Sequence, residues 1–187
     1  MSSPNLENFN KIIFLCGFMA AGKTKLGKNL SFETKLPFLD LDEYIEEHEG
    51  MSVKEIFEQK GEAYFRQKEW FYLQEIATSY IGILSLGGGA LHTRQVVDFV
   101  KSKGVLVYVK TPFRKIVARV RRNTKRPIVL DENGEIKSKE RLFNDLKTLY
   151  SGRKKIYKQA HFILKTKKYK NRIAMVNAVI ENVKKYE

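Results

Sequence analysis

The sequence predicts an α/β domain built on a five-stranded parallel sheet with helices on both faces. Three observations carry that prediction. Five short, mostly apolar runs recur along the 187 residues. Segments with helical spacing separate them, the alternation that produces parallel strands with crossover helices. The runs are continuously apolar rather than alternating, as strands covered on both faces are.

The elements follow in order. Residues 11–16 (K-I-I-F-L-C) form the first strand, which Gly17 stops. Residues 23–30 place Leu26 and Leu30 on one helical face. Residues 37–40 make a second strand that ends in an acid. A helix over 42–49 closes at Gly50, and Ser52 with Glu55 three residues on reads as the capping box of another. A long helix over 62–79 carries Phe65, Leu73 and Ile76 among charges. Residues 81–86 form a strand broken by Gly87-Gly88-Gly89. Helix 93–101 and strand 105–109 follow. Thr111 is predicted to cap the next helix, with Pro112 at its first position, as far as about Arg122. Residues 123–137 are polar, contain a D-E-N-G turn and read as an exposed flap. Helix 139–158, strand 162–164 and a closing helix over 171–186 complete the chain.

Composition bounds the function. With 43% apolar and 30% charged residues, the chain reads as one folded domain, 1–187, with residues 1–10 as an N-terminal extension. The net charge of +14 implies anionic partners without choosing among nucleic acid, an acidic membrane and phosphorylated small molecules. The basic residues are spread through helices and flap, with no aromatic stacking platform, so no nucleic-acid partner is expected. The single cysteine, Cys16, excludes an internal disulfide and a multi-cysteine metal site, and is expected in the core. No apolar run approaches ~18 residues, and residues 1–10 lack the apolar core of a signal peptide. A cytoplasmic protein without a membrane partner is therefore expected. His48, His92 and His161 have neither metal-ligand nor nucleophile–base spacing, and are read as non-catalytic.

The chemistry starts at Gly17-Phe18-Met19-Ala20-Ala21-Gly22-Lys23-Thr24, which matches G-x-x-x-x-G-K-[ST] between a buried strand and a helix. Such a loop turns its N–H groups inward as an anion cradle at a helix N-terminus. Lys23 would reach the outer phosphates and the Thr24 hydroxyl would ligate Mg²⁺. Asp40 and Asp42 stand at the C-terminal edge of the second strand, where open parallel sheets bind ligands. One acid can serve the metal, while the other takes or orients a substrate hydroxyl proton. Asp42 could instead simply cap the following helix. Gly87-Gly88-Gly89 exposes backbone amides at the same edge. Among the many cations, Arg126 stands out, because it precedes Pro127 in the flap, where a closing lid could bring it onto a transferring phosphate. From residue pattern alone, Arg66 and Arg153 read as surface charge.

Taken in order, the segments resemble the shikimate kinases. The resemblance spans about residues 11–160 and rests on G-F-M-A-A-G-K-T, F-L-D-L-D, G-E-A-Y-F-R-Q-K-E, L-S-L-G-G-G-A, N-T-K-R-P and G-R-K-K-I-Y. It implies a P-loop fold like that of the nucleoside monophosphate kinases, with a lid near 123–137 and a substrate-binding segment near 42–80. It implies ATP-dependent phosphorylation of the 3-hydroxyl of shikimate, in aromatic amino acid biosynthesis, by a cytoplasmic monomer. It implies that Lys23, Asp42 and Arg126 are catalytic. Gly17, Ala20, Ala21, Gly22, Lys23, Thr24, Lys25, Arg119 and Arg126 would hold ATP, with Arg119 against the adenine and an adenine loop near 166–171. Thr24 and Asp40 would hold Mg²⁺. Asp42, Arg66, Gly88, Gly89 and Arg153 would bind shikimate, walled by Phe57 and Phe65, with Glu69 bracing Arg66. The chain departs from the family pattern at Lys155, where a proline is usual, and at Ala20, where a glycine is common. Another small-metabolite kinase of this architecture, for gluconate or a nucleotide, is the nearest alternative. A nucleic-acid-binding relative and an inactive one are the others.

Overall fold

A computed structural model describes residues 6, 9–123 and 127–186. Its five strands are β1 (Ile12–Cys16), β2 (Phe38–Asp40), β3 (Gly82–Ser85), β4 (Gly104–Lys110) and β5 (Phe162–Lys165). They form one sheet in the order β2-β3-β1-β4-β5, and every pairing is parallel. The helices are α1 (Lys23–Thr34), α2 (Leu41–Glu49), α3 (Val53–Gln59), α4 (Gly61–Ser79), α5 (Arg94–Lys103), α6 (Phe113–Arg121), α7 (Lys139–Tyr157) and α8 (Arg172–Val183).

Strand alternation sorts the core into two layers. Ile13, Leu15, Ile83, Val105 and Val107 turn to one face and pack against Leu26 and Leu30 of α1 and Val176, Val179 and Ile180 of α8. Ile12, Phe14, Cys16, Leu84, Leu106 and Tyr108 turn to the other, against α2, α4, α5, α6 and α7. Burial on both faces explains the unbroken apolar runs. Each fully buried Leu or Ile contributes roughly 1.5–3 kcal/mol. Cys16 is in the core as expected, where burial pushes its thiol up to about 12.

Because all five strands run the same way, the loops after them open at one edge. Those loops are the glycine-rich turn after β1, Asp40–Asp42 after β2, Gly87–Gly89 after β3, Thr111 after β4 and residues 166–171 after β5.

Several local expectations are corrected. Ser52 and Glu55 do form the capping box of α3. Thr111 does not cap α6. Its hydroxyl donates to the Ala21 carbonyl at 2.8 Å and lies 3.2 Å from the Thr166 hydroxyl, while Pro112 takes the capping position and the helix starts at Phe113. The flap is not simply exposed. Pro127–Val129 forms a 3₁₀ turn that buries the Val129 side chain completely, and Leu130 bridges to Ile136. The Asp131 carboxylate accepts the amides of Asn133 and Glu135, which closes the turn. Arg126 lies outside the described residues. Where the resemblance has a proline, Lys155 lets α7 run unbroken to Tyr157.

Candidate active site

The loop after β1 wraps a cavity of about 800 Å³. Gly22 sits in left-handed backbone conformation (φ 98°) as the N-cap of α1, which turns the loop amides toward the cavity. Ala20 is also left-handed (φ 56°). This is strain that a glycine would avoid, and it explains why glycine is common in that place. Lys23 lies along the loop and donates to the carbonyls of Gly17 (3.0 Å) and Phe18 (3.4 Å). From α6, Arg119 donates to the Ala20 carbonyl at 2.9 Å and the Ala21 carbonyl at 3.3 Å. Thr111 and Arg119 thus hold the outward carbonyls of the loop so that its amides stay turned in. For Thr111, the sequence carried no signal of that role. Beyond Arg119, the cavity is lined by Thr166, Tyr169, Lys170, Asn171 and Arg172, at the place expected for an adenine loop.

The two acids take separate positions. Asp40 is buried and is itself the cap of α2, accepting the Asp42 amide at 3.2 Å. Its other oxygen accepts the Thr24 hydroxyl at 2.7 Å. That bond uses the Thr24 proton and leaves its oxygen lone pairs free for a cation. Among the described residues no group of three or more His, Cys, Asp or Glu could hold a metal alone. A hydroxyl and one carboxylate beside a phosphate cradle do suit Mg²⁺, which keeps waters and shares itself with substrate phosphates. A second polar group, the buried Ser85 hydroxyl at the end of β3, lines the same cavity and has no hydrogen-bond partner among the described residues. Asp42, freed from capping, lies on the cavity wall. Burial, then Asp40 and then Glu69, push its carboxyl up to about 6, against the pull of Lys23.

The glycine run joins the parts. A Cβ on Gly87 would lie 2.6 Å from Asp42 Oδ1 and 2.9 Å from Glu69 Oε1. On Gly88 it would lie 3.2 Å from the Met19 amide nitrogen of the phosphate loop. On Gly89 it would lie 2.5 Å from an Arg66 guanidinium nitrogen. Three successive residues without side chains therefore bring loop, acids and arginine together.

A second cavity of about 240 Å³ is lined by Arg66, Gly89, Arg153 and Glu62 among others. Arg66 donates to Glu69 at 2.6 Å and, through two nitrogens, to Glu62 at 3.2 and 3.3 Å. Burial pushes the Glu69 carboxyl up from its ordinary range, although Arg66 and Arg153 pull it down. Arg153 donates to the Gly88 carbonyl at 3.1 Å, and the Tyr157 hydroxyl donates to the same oxygen. Arg66 and Arg153 thus face one cavity, which their pattern in the sequence did not reveal. Phe65 is buried and its ring lies 4.8 Å from that of Phe57. Neither Phe57 nor Phe65 is among the residues lining this cavity. His92 does line it, with Nδ1 on the Ala90 carbonyl at 2.9 Å.

Comparison with known proteins places this geometry. The family model described as shikimate kinase matches residues 19–184. A shikimate kinase of Aquifex aeolicus is 35% identical over 83% of this chain and 87% of its own length. A crystal structure of shikimate kinase from Bacteroides thetaiotaomicron superposes with a TM-score of 0.80 at 30% identity, covering 94% of this chain and 97% of that one. Shikimate kinase from Acinetobacter baumannii, solved in complex with shikimate, superposes at 0.78 with 29% identity, covering 95% of each chain. A gluconokinase from Sinorhizobium meliloti reaches 0.52 at 14% identity over 95% of this chain and 94% of that one, a likeness of fold alone.

Proposed function

The chain belongs to the shikimate kinase family, and from that premise we propose how its residues divide the transfer of the γ-phosphoryl group of ATP to the 3-hydroxyl of shikimate. The observation that carries the division is the glycine run, which lies against Asp42 and Glu69, the phosphate loop and Arg66 at consecutive residues.

The loop amides from Gly17 to Thr24, with Lys23, hold the phosphates of ATP, and Lys25 and Arg119 flank them. Thr24 and Asp40 would hold Mg²⁺, which when bound would supply charge neutralisation to the transferring phosphates. Arg66 and Arg153 grip the shikimate carboxylate through charge-assisted bonds, each worth roughly 1.5–3 kcal/mol. Glu69 braces Arg66 from behind, and Gly88 and Gly89 meet the ring through main chain. Asp42 orients the 3-hydroxyl. As the 3-oxygen bonds to the γ-phosphorus, the bond from that phosphorus to the bridging oxygen breaks. ADP leaves and the hydroxyl proton passes to Asp42. Most of the acceleration in such a transfer comes from positioning and charge stabilisation, which a preformed two-cavity site supplies. Arg126, on a lid near residues 123–137, completes the charge stabilisation. In this reading one domain, 1–187, acts as a cytoplasmic monomer, with residues near 42–80 as its shikimate-binding segment.

A panel of acceptors read by ADP release tests the assignment. Shikimate alone should support turnover, whereas gluconate and nucleoside monophosphates should not. Comparable turnover with gluconate would overturn the assignment of shikimate as acceptor, and comparable turnover with a nucleoside monophosphate would overturn the carboxylate clamp.

A further inference from the structure

The charge excess is concentrated in one stretch of chain. Residues 146–180 hold ten lysines and arginines and no aspartate or glutamate. They come from several elements, yet the fold gathers four of them around Lys110. Lys110 ends β4 and Lys165 ends β5, and the two are register partners. Side chains alternate along a strand, and Tyr108 and Ile163, two residues earlier, pack in the layer that includes α7. Lys110 and Lys165 therefore turn to that side, from strands about 4.8 Å apart. Lys154 and Lys158 stand four residues apart on one face of α7, and both are exposed. Lys167 follows in the 3₁₀ turn Thr166–Lys168. Burial, then Lys165, Lys154, Lys158 and Lys167, push the Lys110 ammonium down from its ordinary range. None of these five lysines forms an ion pair with an acid among the described residues. Like charges held together in this way repel one another and weaken the fold, and an anion beside them offsets that cost.

The cluster stands at the rim of both cavities. Lys110 and Lys165 are each followed by a threonine, Thr111 and Thr166, that lines the 800 Å³ cavity, and Lys170 and Arg172 line it further on. Lys154 follows Arg153, which lines the 240 Å³ cavity. The nucleotide of the kinase reading is a polyanion. One sign of charge at the edge of a cleft raises the local concentration of the opposite ion and speeds its entry by about 10- to 1,000-fold. At 0.1 M salt such a field extends about 10 Å, well past contact distance.

We propose that Lys110, Lys154, Lys158, Lys165 and Lys167 form an electrostatic funnel that draws the anionic nucleotide to the mouth of the phosphate-loop cavity. The proposal rests on the kinase reading above and adds to it the residues that set the rate of arrival.

Stopped-flow fluorescence with N-methylanthraniloyl-ADP in EDTA reads association and dissociation separately. One variant carries Lys154→Gln, Lys158→Gln and Lys165→Gln. A second loses the same three charges at the opposite end of the sheet, by Lys101→Gln, Lys103→Gln and Lys184→Gln. Lys101 and Lys103 lie just before or next to Gly104, where β4 starts, and Lys184 follows α8, about 18 Å from its start at Arg172. At about 20 mM ionic strength the first variant should associate roughly three- to tenfold more slowly than the parent, with dissociation changed less than about twofold. The second should stay within about twofold of the parent in both. At about 0.5 M salt the gap should close, because screening removes a long-range field and spares a direct contact. Equal association rates in the two variants at low salt would overturn the proposal, and so would a gap that persists at high salt or sits in dissociation. Should the first variant fail to fold, Lys154→Gln with Lys158→Gln, confined to the exposed face of α7, carries the same test with a slowing of about two- to threefold. Failure of the parent itself to bind the nucleotide would sink the kinase reading instead.

Discussion

The two halves of the site are built from different materials. The phosphate half is made of strand ends, from the central β1 through β3 to the edge strand β2. Its loop is fixed by left-handed backbone at Ala20 and Gly22, and its polar groups, Lys23, Asp40 and Ser85, are buried. The acceptor half is made of helix side chains. Arg66 comes from α4 and Arg153 from α7, and part of the Arg66 fork rests on Glu62, whose side chain is 65% exposed. Behind α4 stands one further acid. Glu49, at the end of α2, accepts the Tyr64 hydroxyl at 2.6 Å, the Tyr72 hydroxyl at 2.9 Å and the Lys68 ammonium at 2.9 Å. One half fixes charge with backbone and a sheet. The other holds adjustable side chains on a helix that is itself pinned. Under the proposed division, chemistry that tolerates little error sits in the first, and recognition of a small acid sits in the second.

Substitutions can break or sharpen that contrast. The largest effect is expected at the seam. Asp42→Asn should fold normally yet lose about 10²–10⁴ in kcat by ADP release, and near-parental turnover would remove Asp42 from the reaction. Arg66→Ala comes next. It should raise KM for shikimate roughly 10- to 100-fold while moving KM for ATP little, and equal rises would erase the division between the halves.

Glu49→Gln tests the pin without touching either cavity. Loss of charge-assisted bonds should cost on the order of 1–3 kcal/mol and lower the melting temperature by several degrees. Bonds from Lys68 and Tyr64, and then Tyr72, hold the Glu49 carboxyl down to about 2 against an ordinary 4.5, although burial opposes them. A carboxyl depressed in the folded state stabilises above its unfolded pKa and loses that contribution as pH falls toward the folded value. The gap in melting temperature between parent and variant should therefore be full at neutral pH and shrink as pH falls from about 4.5 toward 2. A gap that stays constant with pH would show that Glu49 acts by shape alone. The smallest effect is expected at Ala20→Gly, which should relieve left-handed strain and raise stability by at most about 1 kcal/mol in denaturant melts, with KM for shikimate unchanged.

The same contrast explains what was legible in the sequence. The phosphate half is local: eight consecutive residues and an acid at a strand end announce it, and flanking apolar runs give the sheet. The acceptor half is assembled across the chain. Nothing near Arg153 in sequence points to Gly88, and Arg66 beside Phe65 looks like any helix cation, so only resemblance to a family raised either above surface charge. Thr111 misled because a hydroxyl before proline satisfies capping rules. Tertiary structure offered it the Ala21 carbonyl instead. Val129 was hidden because its apolar run, Ile128 to Leu130, is too short to show a period inside a polar stretch. Ser85 could not be singled out, since one serine in an apolar strand has no local signature. Its place in the cavity wall comes from the register that sets it beside Asp40.

One carbonyl joins what the two halves keep apart. Gly88 gives its oxygen to Arg153 and Tyr157 while its α-carbon backs onto Met19 of the phosphate loop. If Arg153 grips the acceptor as proposed, a guanidinium drawn toward an arriving acid would tug on the same peptide unit that shoulders the phosphate loop. Under the proposed division, any coupling between the two substrates would pass through this main-chain link, and thermodynamic reciprocity would make it even-handed: whatever factor the first guest gained from the second, the second would gain from the first.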